Sequence, residues 1–96
     1  MTRLAWGARV SPEFRSKLAV GCAELGIDPS HLMACMAFET GRTFSPSVRN
    51  EVSGATGLIQ FMPSTAKGMG LTTAELAGMT AEDQLVPAKI VAEEMA

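Results

Sequence analysis

The apolar residues of this chain follow a helical period near both ends and lose that period in the middle. A cap serine and a first-turn proline, Ser11-Pro12, begin the first helical pattern, and Gly26 ends it. The apolar face of this pattern recurs every three or four residues, at Phe14, Leu18, Cys22 and Leu25. The spacing therefore predicts an amphipathic helix between Ser11 and Gly26.

A second helix is predicted to begin at Asp28-Pro29 and to run to about residue 40. It is apolar on nearly every side, which is typical of a helix buried inside a domain. Gly41 follows as the expected left-handed stop. Glu39 is the lone carboxylate of this helix and lies in its last turn.

Residues 42–62 keep neither a helical nor a strand period. Glycine, proline, serine and asparagine interrupt the segment, and we expect short strands near residues 48–52 and 58–61. Loops of this length in compact domains are usually functional or disordered, and the apolar content of this one favours an ordered, functional loop.

Three helical segments are predicted after the loop. The first runs from Pro63 to about Lys67, the second is capped by Thr72 or Thr73 and ends near Gly78, and the third opens with Thr80 as a capping box. Pro87 falls inside the third helix, which reaches the last residue without a closing turn. The pattern therefore predicts a mostly α fold, with a long irregular loop and a short β segment between the helices.

Composition limits the chain to one small domain over residues 1–96, with an N-terminal arm at residues 1–10. The formal charge is −2 and the eight Lys and Arg are scattered, which excludes a nucleic-acid footprint. No apolar run reaches the roughly 18 residues of a membrane span, so we expect no membrane insertion. No signal peptide is recognisable either, and we expect synthesis in the cytoplasm.

Neither a metal site nor a cofactor is predicted. A single His31 and two distant cysteines provide no zinc-binding spacing. Cys22 and Cys35 are expected to be buried free thiols, with a disulfide between them left open.

Glu39 is the candidate catalytic residue. Burial and the negative end of the helix dipole both disfavour the charged carboxylate, so we expect a raised pKa and a carboxyl that stays protonated near neutral pH. Such a group can act as general acid towards a glycosidic oxygen, with activity that falls as the pH rises. The alternative is a glutamate that is solvated or that pairs with Arg42 or Arg49.

Glycoside cleavage usually requires two carboxylates, and Glu51 in the loop is the available second one. If Glu51 is only a solvated loop charge, neutral groups must hold the substrate or a water molecule. The expected glycan-binding residues lie in the loop and at its end: Ser53, Thr56, Gln60, Phe61 and Met62.

These blocks resemble the soluble lytic transglycosylases, relatives of goose-type lysozyme. The resemblance rests on Glu39-Thr40-Gly41, on Ser53-Gly54-Ala55-Thr56-Gly57-Leu58-Ile59-Gln60 and on Phe61-Met62-Pro63-Ser64-Thr65-Ala66, with Met79-Thr80-Ala81-Glu82-Asp83-Gln84-Leu85 as the next helix. It covers roughly residues 28–86 and is closest to the small versions found in bacteriophages and prophages.

The resemblance implies a mostly α, α+β lysozyme-like domain whose long loop and short β segment form the cleft. It also implies cleavage of the β-1,4 bond between N-acetylmuramic acid and N-acetylglucosamine in peptidoglycan glycan strands. Glu39 matches the family's acid/base residue, Gln60 and Met62 match residues that line the sugar cleft, and Ser53 matches a loop serine near the acid. The family forms a 1,6-anhydro product without water, which explains why a second carboxylate is not needed. The setting that this implies is the bacterial cell wall, reached as a phage virion or lysis component.

Three departures accompany the resemblance. Thr40 replaces a serine, Pro87 interrupts the last helix, and the chain has no Tyr, although the family closes its cleft with a tyrosine from a later segment. We therefore expect either a compact version, or a domain that lacks its C-terminal part and covers exposed apolar surface by self-association.

Three other functions remain open at this point. A hydrolysing muramidase would finish the reaction with Glu51 or a bound water. A truncated, inactive domain would only bind glycan or assemble with a partner. A purely structural helical module is the least favoured, because it leaves the Gly57–Pro63 block unexplained.

Overall fold

The computed structural model describes residues 4–95, which form a 3₁₀ turn at Gly7–Arg9 and five α-helices. The helices are α1 (Pro12–Leu25), α2 (Pro29–Glu39), α3 (Pro63–Gly68), α4 (Thr73–Ala77) and α5 (Ala81–Met95). The mostly helical fold class predicted from the sequence is confirmed.

The predicted start signals act as helix caps. The Ser11 hydroxyl accepts a hydrogen bond from the Phe14 amide at 3.0 Å, and the Asp28 carboxylate accepts one from the Ser30 amide at 2.9 Å. Each bond satisfies a backbone donor that a helix leaves free at its N-terminus. Local chemistry therefore sets where α1 and α2 begin.

The two later helices also begin at threonine caps. Thr72 and Glu75 form a reciprocal capping box at the start of α4, and the Thr80 hydroxyl accepts a hydrogen bond from the Asp83 amide at 3.1 Å. α5 then runs through Pro87 as one helix.

The core forms where α1 packs against α2 and α5. The larger cluster of buried side chains joins these helices to two loop residues and comprises Phe14, Leu18, Cys22, Met33, Met36, Ala37, Phe44, Leu58 and Leu85. A smaller cluster joins α3, α4 and α5 and comprises Phe61, Ala66, Leu76 and Ala88. Ile59 packs against both clusters, so the loop lies between the two halves of the core.

α2 is buried on one face only, so the prediction of a helix enclosed on all sides is wrong. Met33, Met36 and Ala37 are buried, whereas Phe38 is 85% exposed and Cys35 is also exposed. Within residues 4–95 no element covers this second face. The expectation of two buried thiols therefore holds for Cys22 alone, and both cysteines are free.

Burial raises the pKa of the Cys22 thiol, and the nearby Asp28 carboxylate raises it further. Both effects disfavour the thiolate, so Cys22 behaves as a core side chain.

The end of α2 is fixed by a buried hydroxyl and a left-handed glycine. The Thr40 hydroxyl donates to the Met36 carbonyl at 2.7 Å and accepts from the Phe44 amide at 2.9 Å. Gly41, with φ of 62°, turns the chain so that the Arg42 amide reaches the Ala37 carbonyl at 2.7 Å. The predicted stop at Gly41 is confirmed.

The irregular segment contains single bridge pairs in place of the strands predicted near residues 48–52 and 58–61. Thr56 pairs with Arg49 on one side and with Phe61 on the other. Turns at residues 51–53 and 57–60 reverse the chain before either pairing can extend, which explains the difference.

In the described part of the chain, no helix combines the length and the hydropathy that a membrane crossing requires.

The Thr40 hydroxyl is expected to determine the stability of the α2 end. Thr40→Val keeps the volume but leaves the Phe44 amide without an acceptor in a buried place, so the free energy of unfolding should fall by about 1–3 kcal/mol. Thr40→Ser keeps the hydroxyl and loses only a methyl, about 0.8 kcal/mol. Urea denaturation measures both values.

Hydrogen exchange separates the loss of the hydrogen bond from the loss of the methyl group. The Phe44 amide should lose protection in Thr40→Val and keep it in Thr40→Ser. Equal protection in the two variants would contradict the assigned hydrogen bond.

Candidate active site

Glu39 is the last residue of α2, and its side chain is exposed. The burial that the sequence led us to expect is absent, because Glu39 lies on the uncovered face of the helix. Neither Arg42 nor Arg49 forms an ion pair with it, since the ion pairs within residues 4–95 involve Lys89 with Glu24 and Glu93. The carboxyl group is thus held by a rigid helix end and is open to a ligand.

Backbone strain is concentrated in the segment that follows Glu39. Arg42, Phe44 and Gln60 have φ values of 70°, 53° and 56°, in the left-handed region that side chains with a Cβ rarely adopt. Phe44 is buried in the larger core cluster, which holds its backbone in place. Strain of this kind persists only where the surrounding structure maintains it, and it is frequent at functional sites.

A small set of backbone hydrogen bonds shapes the loop. Thr56 and Phe61 exchange two bonds, of 3.0 and 2.8 Å, around the turn at residues 57–60. The Gly57 amide donates to the Val48 carbonyl at 2.8 Å, and the Asn50 amide donates to the Ala55 carbonyl at 2.8 Å. Three short chain segments are therefore held side by side although none is a strand.

Gln60 has most of its hydrogen-bonding capacity committed inside the loop. Its side-chain Nε2 donates to the carbonyls of Val48 at 3.1 Å and Gly57 at 3.0 Å. Because both partners are carbonyl oxygens, the atom facing them must be the nitrogen. The half-buried Gln60 therefore has only its Oε1 free, and it can only accept a hydrogen bond from a ligand.

Ser53 and Met62 also reach the surface. The exposed Ser53 hydroxyl accepts from the Ala55 amide at 3.2 Å, which leaves its proton free to be donated. Met62 precedes α3 and is 45% exposed. Both side chains are accessible to a ligand.

Thr56 and Phe61 are buried, which does not support the predicted direct contact with a glycan. The Thr56 hydroxyl donates to the Gly54 carbonyl at 3.0 Å, and Phe61 is part of the smaller core cluster. Their pairing and packing anchor the loop to the core, so neither side chain is accessible to a ligand.

Glu51 lies exposed in the turn at residues 51–53. The Asn50 side chain fixes this turn by accepting from the Val52 amide at 2.9 Å and the Ser53 amide at 3.1 Å. Glu51 itself enters no ion pair among the described residues. In the same part of the chain, no group of three acidic, histidine or cysteine side chains converges on a metal-sized site.

Sequence reasoning missed Gln84, the most connected side chain of this region. Gln84 lies on α5, is 0% exposed, and hydrogen-bonds to Leu58, Pro46 and Leu76. A signal was present, because Gln84 is a polar residue beside Leu85 on the apolar side of the predicted helix, and a buried amide requires partners.

One cavity lies away from these residues. It is a groove of about 610 Å³ between α1 and α5, and its lining includes Val20, Val86 and Ile90 but not Glu39 or any predicted glycan-binding residue. Glu39 itself is exposed to solvent.

Comparisons with known proteins place the chain in a family. Searches of curated proteins and of solved structures gave no significant match. A family model, described as Transglycosylase SLT domain, matches residues 21–90, a range that includes Glu39 and every loop residue discussed above. Because this match covers well over half of the chain, the protein belongs to the transglycosylase SLT domain family.

Proposed function

We propose that this protein is a peptidoglycan lytic transglycosylase that cleaves the β-1,4 bond between N-acetylmuramic acid and N-acetylglucosamine. The observation that carries the proposal is the family match over residues 21–90, within which Glu39 is an accessible carboxyl group on a fixed helix end. The loop that follows it in the chain offers one acceptor at Gln60 and one donor at Ser53.

In the proposed mechanism Glu39 acts twice. Its carboxyl group first protonates the glycosidic oxygen, and the bond from that oxygen to C1 of the muramyl residue breaks. The resulting carboxylate then accepts the proton of the muramyl C6 hydroxyl as that oxygen bonds to C1. The product is a 1,6-anhydromuramyl end, no water is consumed, and Glu39 regains its proton.

The polar atoms left free in the loop suggest how a glycan strand is held. Gln60 Oε1 accepts from a sugar hydroxyl or an N-acetyl N–H, since its Nε2 is already engaged. The Ser53 hydroxyl donates to a sugar oxygen, and exposed Met62 contacts an apolar sugar face. Thr56 and Phe61 are buried and hold the backbone of the loop that carries Gln60.

The exposure of Glu39 gives the substrate a further role. A general acid works best when its proton is retained near the working pH, and desolvation is one way to achieve this. Within residues 4–95 the protein does not enclose Glu39, so we propose that the bound glycan strand excludes water from the carboxyl group.

A hydrolysing muramidase is the alternative within the same class. Glu51 is the second carboxyl group that it would use, or a bound water would complete the reaction. The chemical form of the product distinguishes the two reactions, because hydrolysis adds one water and leaves a reducing end.

Digestion of purified peptidoglycan tests the assignment. The wild-type protein should release products lighter by one water than hydrolytic muropeptides, as read by mass spectrometry. Glu39→Gln cannot donate the proton and should reduce release by at least about 100-fold. Glu51→Gln is the matched control, an exposed loop carboxyl group whose loss should leave the rate and the product unchanged.

Other outcomes would change the proposal. Reducing products that disappear in Glu51→Gln would identify a muramidase. Binding of glycan without any product, unaltered in Glu39→Gln, would identify an inactive binding or assembly module.

We propose that the activity takes place at the bacterial cell wall, where the proposed substrate is found. We propose that the protein is made in the cytoplasm and acts on the wall as part of a phage virion or of a lysis system. The closeness of the sequence blocks to phage-type members supports this setting.

We also propose that the apolar groove between α1 and α5 allows self-association. Val20 and Val86 are more than half exposed there, and contiguous exposed apolar surface marks interaction sites. Contact with a second copy would remove these side chains from water.

The self-association proposal makes a prediction for Val86→Glu. A charge in the groove should weaken association at least about tenfold, because burying an unpaired carboxylate is costly. Val52→Glu is the control, since Val52 is 98% exposed and lies outside the groove. Sedimentation velocity over a concentration series measures both. A wild-type protein that stays monomeric throughout would refute the proposal.

A further inference from the structure

We propose that Gln84 is a positioning residue, which holds the glycan-binding turn at residues 57–60 in its working geometry. This inference rests on the proposed function, because it concerns the turn that carries Gln60. Gln84 does not reach the surface, so it acts through the backbone of other residues.

The hydrogen bonds of Gln84 join three separate chain segments. Its Oε1 accepts from the Leu58 amide at 2.7 Å, inside the turn. Its Nε2 donates to the Pro46 carbonyl at 3.0 Å, at the start of the loop, and to the Leu76 carbonyl at 2.8 Å, in α4. One side chain on α5 therefore links the start of the loop and the turn at residues 57–60 to α4.

Only a primary amide of this length fits these partners. The site presents one backbone N–H and two carbonyl oxygens, which match the acceptor and the two donors of a glutamine side chain. An ionised glutamate would face two carbonyls without a proton to give them, and a methionine would leave all three groups unpaired in a buried place.

Gly57 completes the arrangement. A Cβ at Gly57 would lie 2.8 Å from both Cδ and Nε2 of Gln84, closer than real Cβ atoms approach other groups. The φ of Gly57 is also 93°, a value that disfavours any other residue. The turn therefore rests directly on the Gln84 amide, with no intervening side chain.

The position of the turn decides where Gln60 presents its free oxygen. Gly57 and Gln60 share the Val48 carbonyl as an acceptor, at 2.8 and 3.1 Å. A displacement at Leu58 therefore moves both donors of this pair and changes the direction of Gln60 Oε1. This is how a fully buried side chain on α5 affects a site on the surface.

A titratable substitution tests the inference. In Gln84→Glu, a protonated carboxyl group still accepts from Leu58 and donates to one carbonyl, whereas the ionised form repels both carbonyls. The folded state therefore favours the protonated form and raises the pKa of this glutamate, so the arrangement is kept below the unfolded pKa and lost as the pH rises through the raised pKa of the folded state. Release of glycan product, divided by the wild-type rate at the same pH, should fall about tenfold between about pH 5 and pH 8.

The control is Gln84→Met, which cannot titrate. It should lower product release by a similar factor at every pH. Both variants are assayed where circular dichroism shows them to be folded, so that a loss of global stability does not enter the ratio. A Gln84→Glu ratio that does not change with pH, in a folded protein, would overturn the proposal.

A second readout separates this inference from the proposed function. In NMR spectra, the Leu58 backbone amide and the Gln60 side-chain amide should shift with pH in Gln84→Glu and not in the wild type. This result is expected even if the wild-type protein releases no product, in which case the proposed function fails and the positioning role stands. Unshifted signals would refute the positioning role whatever the activity.

If Gln84→Glu does not fold, Gly57→Ala tests the same contact from the other side. Its methyl group displaces the turn while Gln84 remains, so the side-chain amide signals of both Gln84 and Gln60 should move. Gly68→Ala is the matched control, because a methyl group there meets no neighbouring atom within 4 Å. Signals that move equally in the two variants would overturn the proposal.

Discussion

The hydrogen bonds of one buried amide are the constraint on which the loop region depends. Residues 42–62 contain no helix, and their bridge pairs are single, so the loop cannot maintain its shape by regular secondary structure. Gln84 supplies from α5 the partners that a strand would otherwise provide. A buried polar group with every bond made specifies one arrangement, because each competing arrangement leaves a donor or acceptor unpaired.

The polar side chains of this region fall into two groups. Those of a buried frame bond to the protein itself, and those of an exposed surface are free to bind a ligand. Thr40, Thr56 and Gln84 are buried and use their polar atoms on the protein itself. Glu39 and Ser53 extend into solvent from elements that this frame holds. The polar residues of the loop therefore serve two purposes, and only burial reveals which purpose each one serves.

The boundaries of the helices could be predicted because they are local. Ser11, Asp28 and Thr72 bond to amides two or three residues away, so the pattern of the sequence contains both partners. The burial of α2 could not be predicted in this way. Its composition is apolar all round, but whether Phe38 is covered depends on what packs against that face, which a helical pattern does not contain.

The site was predictable only in part, for the same reason. The position of Glu39 before a glycine stop is readable from the sequence, whereas its exposure is not. The role of Gln84 depends on contacts over long sequence separations, such as the 26 residues between Leu58 and Gln84. Residue type alone does not distinguish an amide that binds a sugar from one that supports a turn.

The exposure of Cys35 has a practical consequence. Cys35 lies one helical turn before Glu39, on the same side of α2, whereas Cys22 is buried and its thiolate is disfavoured. A maleimide-linked fluorophore should therefore attach selectively at Cys35. Placed beside the carboxyl group and directed to the uncovered face of the helix, the dye would report the arrival of a glycan strand without any substitution in the chain.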